Sequence, residues 1–75
     1  DLVMLTRKEF DLVAALARRR GVAVRREQLI SEVWQTSWQG MGRSLEGHIA
    51  SVRRKLSVPG LIETVRGIGY AMIGD

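Results

Sequence analysis

The sequence predicts a small α+β domain, three helices followed by a C-terminal β-hairpin. Apolar residues recur at helical spacing in three separate stretches, and two short β-prone runs flank a glycine-containing turn near the C-terminus. A length of 75 residues admits one domain at most. With 45% apolar residues, 27% charged and a single proline, the composition is globular rather than disordered. Cysteine is absent, which excludes disulfides and thiolate chemistry, and one histidine, His48, cannot form a metal cluster. No metal or cofactor is expected. No apolar run approaches the ~20 residues of a membrane span, and no basic-then-apolar leader is visible, so a cytoplasmic location is expected. Twelve Lys and Arg against eight Asp and Glu leave a formal net charge of +4, which suits a polyanionic partner or an ordinary basic surface.

Residues 1–5 (DLVML) read as a short strand. Leu2 and Met4 lie on one side and Val3 and Leu5 on the other, so one apolar row is expected to be exposed or to meet another molecule. Thr6 with Glu9 three residues on forms a capping box that opens a helix over residues 7–19. Its apolar stripe is Phe10, Val13, Leu16 and Ala17, widened by Leu12. Arg18, Arg19 and Arg20 suit the negative end of the helix dipole or a DNA contact, and Gly21 permits the positive φ that ends the helix. Residues 22–24 form a short extended piece.

A second helix spans residues 26–34, with Leu29, Ile30, Val33 and Trp34 on its apolar side. Arg25 stands where a capping Ser, Thr or Asp is expected, and Arg26 follows. Two cations at a positive dipole end read either as plain surface charge or as a seat for phosphate. Residues 35–42 carry two glycines and no periodicity, hence a loop, in which Trp38 either packs on the core or stands out as a partner contact.

The third helix covers residues 43–56. At about 100° per residue, Leu45, Ile49, Val52 and Leu56 fall within about 40° of one another and must face the core. Opposite lie Arg43, Gly47, Ala50 and Arg54; Ser44 and Ser51 lie to one side, and Arg53 and Glu46 to the other. His48 and Lys55 border the apolar stripe, where His48 reads as packed and hydrogen-bonded or as a phosphate contact. Gly47 costs about 1 kcal/mol relative to Ala in a helix interior, so it invites a reason. Close approach to a groove floor is one; simple tolerance of a small residue is the other. The tail, residues 62–73, reads as a hairpin turning at Arg66-Gly67-Ile68-Gly69.

Three helices and a hairpin, with the basic face on the third helix, make the winged helix-turn-helix plan. Four segments narrow it: LTRKEFDLVAAL from Leu5, REQLISEVW from Arg26, RSLEGHIASVRRKL from Arg43 and IETVRGIGYAM from Ile62. In that order and spacing they resemble the C-terminal DNA-binding effector domain of OmpR/PhoB-type two-component response regulators, with TVRGIGY the sharpest signature. The resemblance implies that Arg43, Ser44, Gly47, Ala50, Ser51, Arg53 and Arg54 face a major groove. It implies that Arg66 probes the minor groove, with Gly67 and Gly69 letting the turn pass close to the DNA backbone. Thr64 and Tyr70 match positions that bond the sugar–phosphate backbone, and Trp34 one that packs and can donate its indole N–H to phosphate. The loop 35–42 corresponds to a segment that contacts RNA polymerase. Tandem direct repeats in double-stranded DNA and a homodimer on DNA are expected on the same ground.

The chain also departs from the pattern. Some relatives carry arginines where Ala50 and Ser51 stand, so their base contacts do not transfer. Family effector domains begin with an antiparallel sheet, of which residues 1–5 would be the last strand, and the receiver domain is absent from the chain. Among rival functions, catalysis fits poorly. Gly67-Ile68-Gly69 sits in a hairpin rather than between strand and helix, and Glu27 and Glu32 lie about 140° apart on their helix. A winged helix used only for protein contacts would shed cations, yet Arg43, Arg53, Arg54, Lys55 and Arg66 are kept against Glu46 and Glu63.

Overall fold

The computed structural model describes residues 3–35 and 42–73. Helix α1 (Arg7–Ala17), strand β1 (Val24–Arg25), helices α2 (Arg26–Trp34) and α3 (Gly42–Leu56), and strands β2 (Ile62–Val65) and β3 (Gly69–Met72) follow in that order. The core is made by all three helices and the sheet. Leu12, Leu16, Leu29, Ile30, Leu45, Ile49, Val52 and Val24 are fully buried, and Ile62, Tyr70 and Met72 close it from the sheet side.

The capping box forms. Glu9 N–H donates to Thr6 Oγ1 at 3.2 Å, and Thr6 N–H donates to Glu9 Oε1 at 2.8 Å. The helix stops two residues short of its expected end, at Ala17, and Gly21 at φ +83° turns the chain. The arginine run therefore lies beyond the last helical turn. Arg18 and Arg19 reach across to Glu32 on α2 at 3.2 and 2.6 Å, so two of its three cations tie α1 to α2.

The α1 stripe is rotated from its expected position. Its buried side is Glu9, Leu12, Ala15 and Leu16, while Phe10 is 60% exposed and Ala17 is exposed. Apolar spacing marks a helix but does not say which of two neighbouring rows meets the partner. The expected strand at residues 1–5 is corrected as well. Residues 3–5 have no regular structure, and Asp1 and Leu2 lie outside the described residues. Extended backbone becomes a strand only against a partner strand, and residues 3–5 have none among the described residues. Val3 and Met4 stand 44% and 73% exposed.

The wing is more than a hairpin. β1 adds to it, giving a three-stranded antiparallel sheet in the order β1-β3-β2, with Val24 opposite Tyr70 and Ile62 opposite Met72. The central strand β3 is buried along its whole length. This explains Gly69, which the sequence assigned to DNA approach. A Cβ there would lie 2.0 Å from the Val24 carbonyl oxygen and 2.9 Å from the Arg26 nitrogen. Gly69 is required by the protein's own backbone.

Glu9 does more than cap. Only 4% exposed, it accepts Lys55 Nζ on Oε1 at 2.8 Å and the Ser51 hydroxyl on Oε2 at 2.5 Å, both from α3. Lys55 first, then Ser51 and the Thr6 N–H, hold its carboxyl at about 2, down from 4.5, against the opposing effect of burial. A depressed carboxylate stabilises the fold above its unfolded pKa, and that stability drains as pH falls through the folded value. Glu9→Gln should destabilise the chain at pH 7 by on the order of 2–3 kcal/mol. Urea unfolding across pH checks this: the gap between parent and variant should narrow from about pH 4.5 towards about pH 2. A gap that stays constant over that window would remove the charge from the explanation.

Candidate nucleic-acid interface

α3 presents its outer side as the wheel requires. Leu45, Ile49 and Val52 are buried, Leu56 packs partly against the core, and Arg43, Gly47, Ala50 and Arg54 are all exposed. A Cβ on Gly47 would meet nothing within 4 Å, so no packing among the described residues explains the glycine. Arg43 and Arg54 pair with no carboxylate among the described residues. Among the described residues the Arg54 side chain makes one long 3.5 Å contact, to Ser51 Oγ. Ser51 itself is directed inward to Glu9, and Lys55 is spent on the same carboxylate.

The neighbouring arginine behaves differently. Arg53 Nε and Nη2 donate to the Ile62 carbonyl at 3.1 and 2.7 Å, and Nη2 donates to Thr64 Oγ1 at 2.9 Å. Its guanidinium carbon lies 5.8 Å from the centre of the Tyr70 ring, and that of Arg26 lies 5.7 Å from it. Tyr70 is 4% exposed. Its ring is held by cations from α2 and α3, an arrangement worth about 0.5–2 kcal/mol per contact. The sequence matched Arg53 and Tyr70 to DNA-facing positions; their visible partners are within the protein.

β2 and β3 are joined by a turn in which Ile68 N–H donates to the Val65 carbonyl at 3.0 Å. Gly67 takes φ +76° at the third position of that turn, while Arg66 keeps negative φ, the signature of a type II turn. Arg66 is thereby exposed at the tip, and it too has no carboxylate partner among the described residues.

The odd start of α2 is accounted for in part. Arg25 makes no side-chain cap, but the Arg26 N–H donates to the Ile68 carbonyl of the wing turn at 3.2 Å. The wing thus supplies the cap that the sequence lacks. Arg25, Arg26, Glu27, Gly67 and Ile68 line a cleft of about 360 Å³ between helix start and turn. Arg26 Nε is buried and has no hydrogen-bond partner among the described residues.

Trp34 is half-buried against the core and meets the His48 ring edge-on, with centroids 5.0 Å apart. His48 Nδ1 lies 2.6 Å from the Ser44 carbonyl, which can only accept, so that nitrogen carries the proton. His48 is a packed, bonded residue. Ser44 is half-buried one turn before it, and Trp38 and residues 36–41 of the expected loop lie outside the described residues. Glu32, the anchor of Arg18 and Arg19, is held below its ordinary value: burial opposes this, but bonds from Arg19 and Gln28 prevail. Sequence reasoning missed the Arg26 and Arg53 contacts to Tyr70. A cation at each of two helices facing one aromatic strand residue leaves no periodic trace.

Among the described residues no three His, Asp or Glu side chains gather as a metal site, and no helix is long and apolar enough to cross a membrane. The family model described as "Transcriptional regulatory protein, C terminal" matches residues 1–72. The transcriptional regulatory protein VxrB of Vibrio cholerae is 42% identical over 73 residues, which are 96% of this chain and 29% of VxrB. The chain therefore spans under a third of that relative. Among solved structures, the DNA-binding domain of Klebsiella pneumoniae RstA, in complex with RstA box, superposes with a TM-score of 0.85 at 32% identity. That match covers 95% of this chain and 74% of the RstA chain. The DNA-binding domain of Escherichia coli CpxR gives 0.84 at 33% identity, covering 96% and 74%. The fold is a winged helix, and the chain belongs to the family of C-terminal domains of transcriptional regulatory proteins.

Proposed function

We propose that the chain binds double-stranded DNA sequence-specifically and regulates transcription as the output domain of a two-component response regulator. α3 enters the major groove and the wing turn enters the adjacent minor groove. The observation that carries this reading is the outer face of α3. Exposed arginines stand towards its two ends, with Gly47 and Ala50 between them, and no contact among the described residues explains the glycine. The likeness to RstA, whose DNA-binding domain was solved with RstA box, supports it.

In this reading Arg43 and Arg54 reach base edges, where a guanidinium can bond guanine O6 and N7 together. Gly47 and Ala50 let the helix backbone approach the groove floor. Arg66 senses the potential of a narrow, A/T-rich minor groove. Ser44, Thr64, the Trp34 indole N–H and the cationic start of α2 hold phosphates and set the register. Ser51 and Tyr70 act from beneath, through Glu9 and through the two guanidiniums on the ring. The domain acts by binding, without catalysis or a cofactor. Its wider setting is the cytoplasm, as a homodimer on tandem direct repeats, joined to a receiver domain and touching RNA polymerase through the loop 35–42.

The first test is duplex affinity over a salt series: log affinity should fall steeply and linearly with log salt as several phosphates are engaged. A flat response removes DNA as the partner. Site selection from a random duplex pool then reports the target. Gly47→Ala separates the two explanations of the glycine. It should raise unfolding stability by about 0.5–1 kcal/mol and yet weaken duplex binding severalfold. Unchanged binding would leave close approach without support. Arg54→Ala should cost about 1–3 kcal/mol on the selected duplex and relax preference at one base position. Arg66→Ala should weaken binding most where the flanks are A/T-rich, and an equal loss on all flanks would argue against minor-groove probing.

A further inference from the structure

We infer that Arg53 is a positioning residue. It holds the wing at a set distance from α3, so that the α3 face and Arg66 engage one duplex together. The inference rests on the DNA-binding reading above and gives Arg53 a role other than that of a phosphate contact.

Three of its features point this way. Arg53 bonds two points of one strand, the Ile62 carbonyl and Thr64 Oγ1, and both belong to β2. β2 is an edge of the sheet, tied to the rest only through β3. The guanidinium is therefore a direct polar link between the recognition helix and the outer wing strand. It also lies over Tyr70, the β3 residue paired with Thr64, so it reaches both strands that carry the Arg66 turn. Nε and Nη2 act as a planar fork here, a geometry that lysine cannot reproduce.

The link has a chemical consequence for Thr64. A hydroxyl that accepts from a guanidinium keeps its own hydrogen free to donate. Arg53 therefore orients the exposed Thr64 hydroxyl as a donor, the polarity that a phosphate oxygen requires. Arg54, one position along and about 100° around the helix, has no such partners among the described residues. The two adjacent arginines divide the work: Arg54 faces outward, and Arg53 sets where the wing stands.

The test compares the parent chain with Arg53→Gln and Arg53→Lys on duplexes with A/T-rich or G/C-rich flanks, each over a salt series. Arg53→Gln should lose roughly tenfold in affinity on A/T-rich flanks. Its preference between the flanks should collapse, as is expected for Arg66→Ala, because the wing no longer brings Arg66 to the groove. Thr64→Val should cost the parent affinity but add nothing in the Arg53→Gln background. Arg53→Lys keeps the charge but not the fork and should lose flank preference equally. A slope lower by about one with flank preference intact makes Arg53 a phosphate contact and overturns the proposal.

Amide hydrogen exchange without DNA provides a separate arm. Arg53→Gln and Arg53→Lys should speed exchange at the amides of β2 and of residues 66–68 while leaving α1 unchanged. Unchanged exchange in the wing overturns the proposal even if DNA binding is lost. Faster wing exchange in a chain whose parent ignores duplex DNA would instead sink the functional reading and leave the strut standing.

Discussion

The position of α3 depends on one buried carboxylate. Glu9 enters the interior because it caps the first turn of α1, and a charge so placed is costly unless every oxygen is satisfied. Two of its three donors, Ser51 and Lys55, stand one turn apart on α3. The apolar stripe alone would tolerate a few degrees of roll about the helix axis, since hydrophobic contact has no direction. Two directed bonds from i and i+4 do not. They fix which way the opposite side faces, and that side carries Arg43, Gly47, Ala50 and Arg54. A local capping motif thus sets the aim of a helix more than forty residues away.

Half of this was legible in the sequence. Thr6 and Glu9 are three apart, and a capping box is a local rule, so it could be read directly. The bonds to Ser51 and Lys55 span the whole fold and leave no spacing signature. The same division explains the error at Phe10. Helical periodicity identifies an amphipathic segment, but the row that turns inward is chosen by what it packs against, and Glu9 with its α3 partners draws the neighbouring row inside. α2 and α3 were read closely because their apolar residues form one unambiguous stripe each. β1 was read only as a short extended piece at residues 22–24, because a two-residue strand has no period; its place in the sheet depends on Tyr70 and Gly69 of a distant strand.

The interface was legible as a face but not as a set of contacts. A helical wheel separates cations from the apolar stripe, and it placed Arg43 and Arg54 outward with Gly47 between them. It cannot tell which cations are already engaged. Arg18, Arg19 and Lys55 spend their charge on Glu32 and Glu9, and Arg53 spends its fork on β2. Arg20, Arg25, Arg43, Arg54 and Arg66 are left exposed with no carboxylate partner among the described residues, and three of these five lie on α3 and the wing turn. Composition sees one net charge; the fold sorts that charge into brackets and probes.

The glycines make the same point from the backbone. Gly69 serves the protein, because β1 passes where its side chain would be. Gly67 serves the turn, whose third position needs positive φ. Gly47 meets neither demand. It stands in regular helix with open space around it and lowers helix stability by about 1 kcal/mol. A residue that weakens its own element without easing any contact among the described residues fits the close approach of a partner. The wing points the same way. A two-stranded hairpin alone is marginal in water, yet this one is braced by β1, by the Arg26 N–H on its turn and by Arg53 on its edge. The last of these comes from α3 itself, so the helix and the wing that carries Arg66 are bonded to each other directly. Less order then has to be imposed when a partner binds.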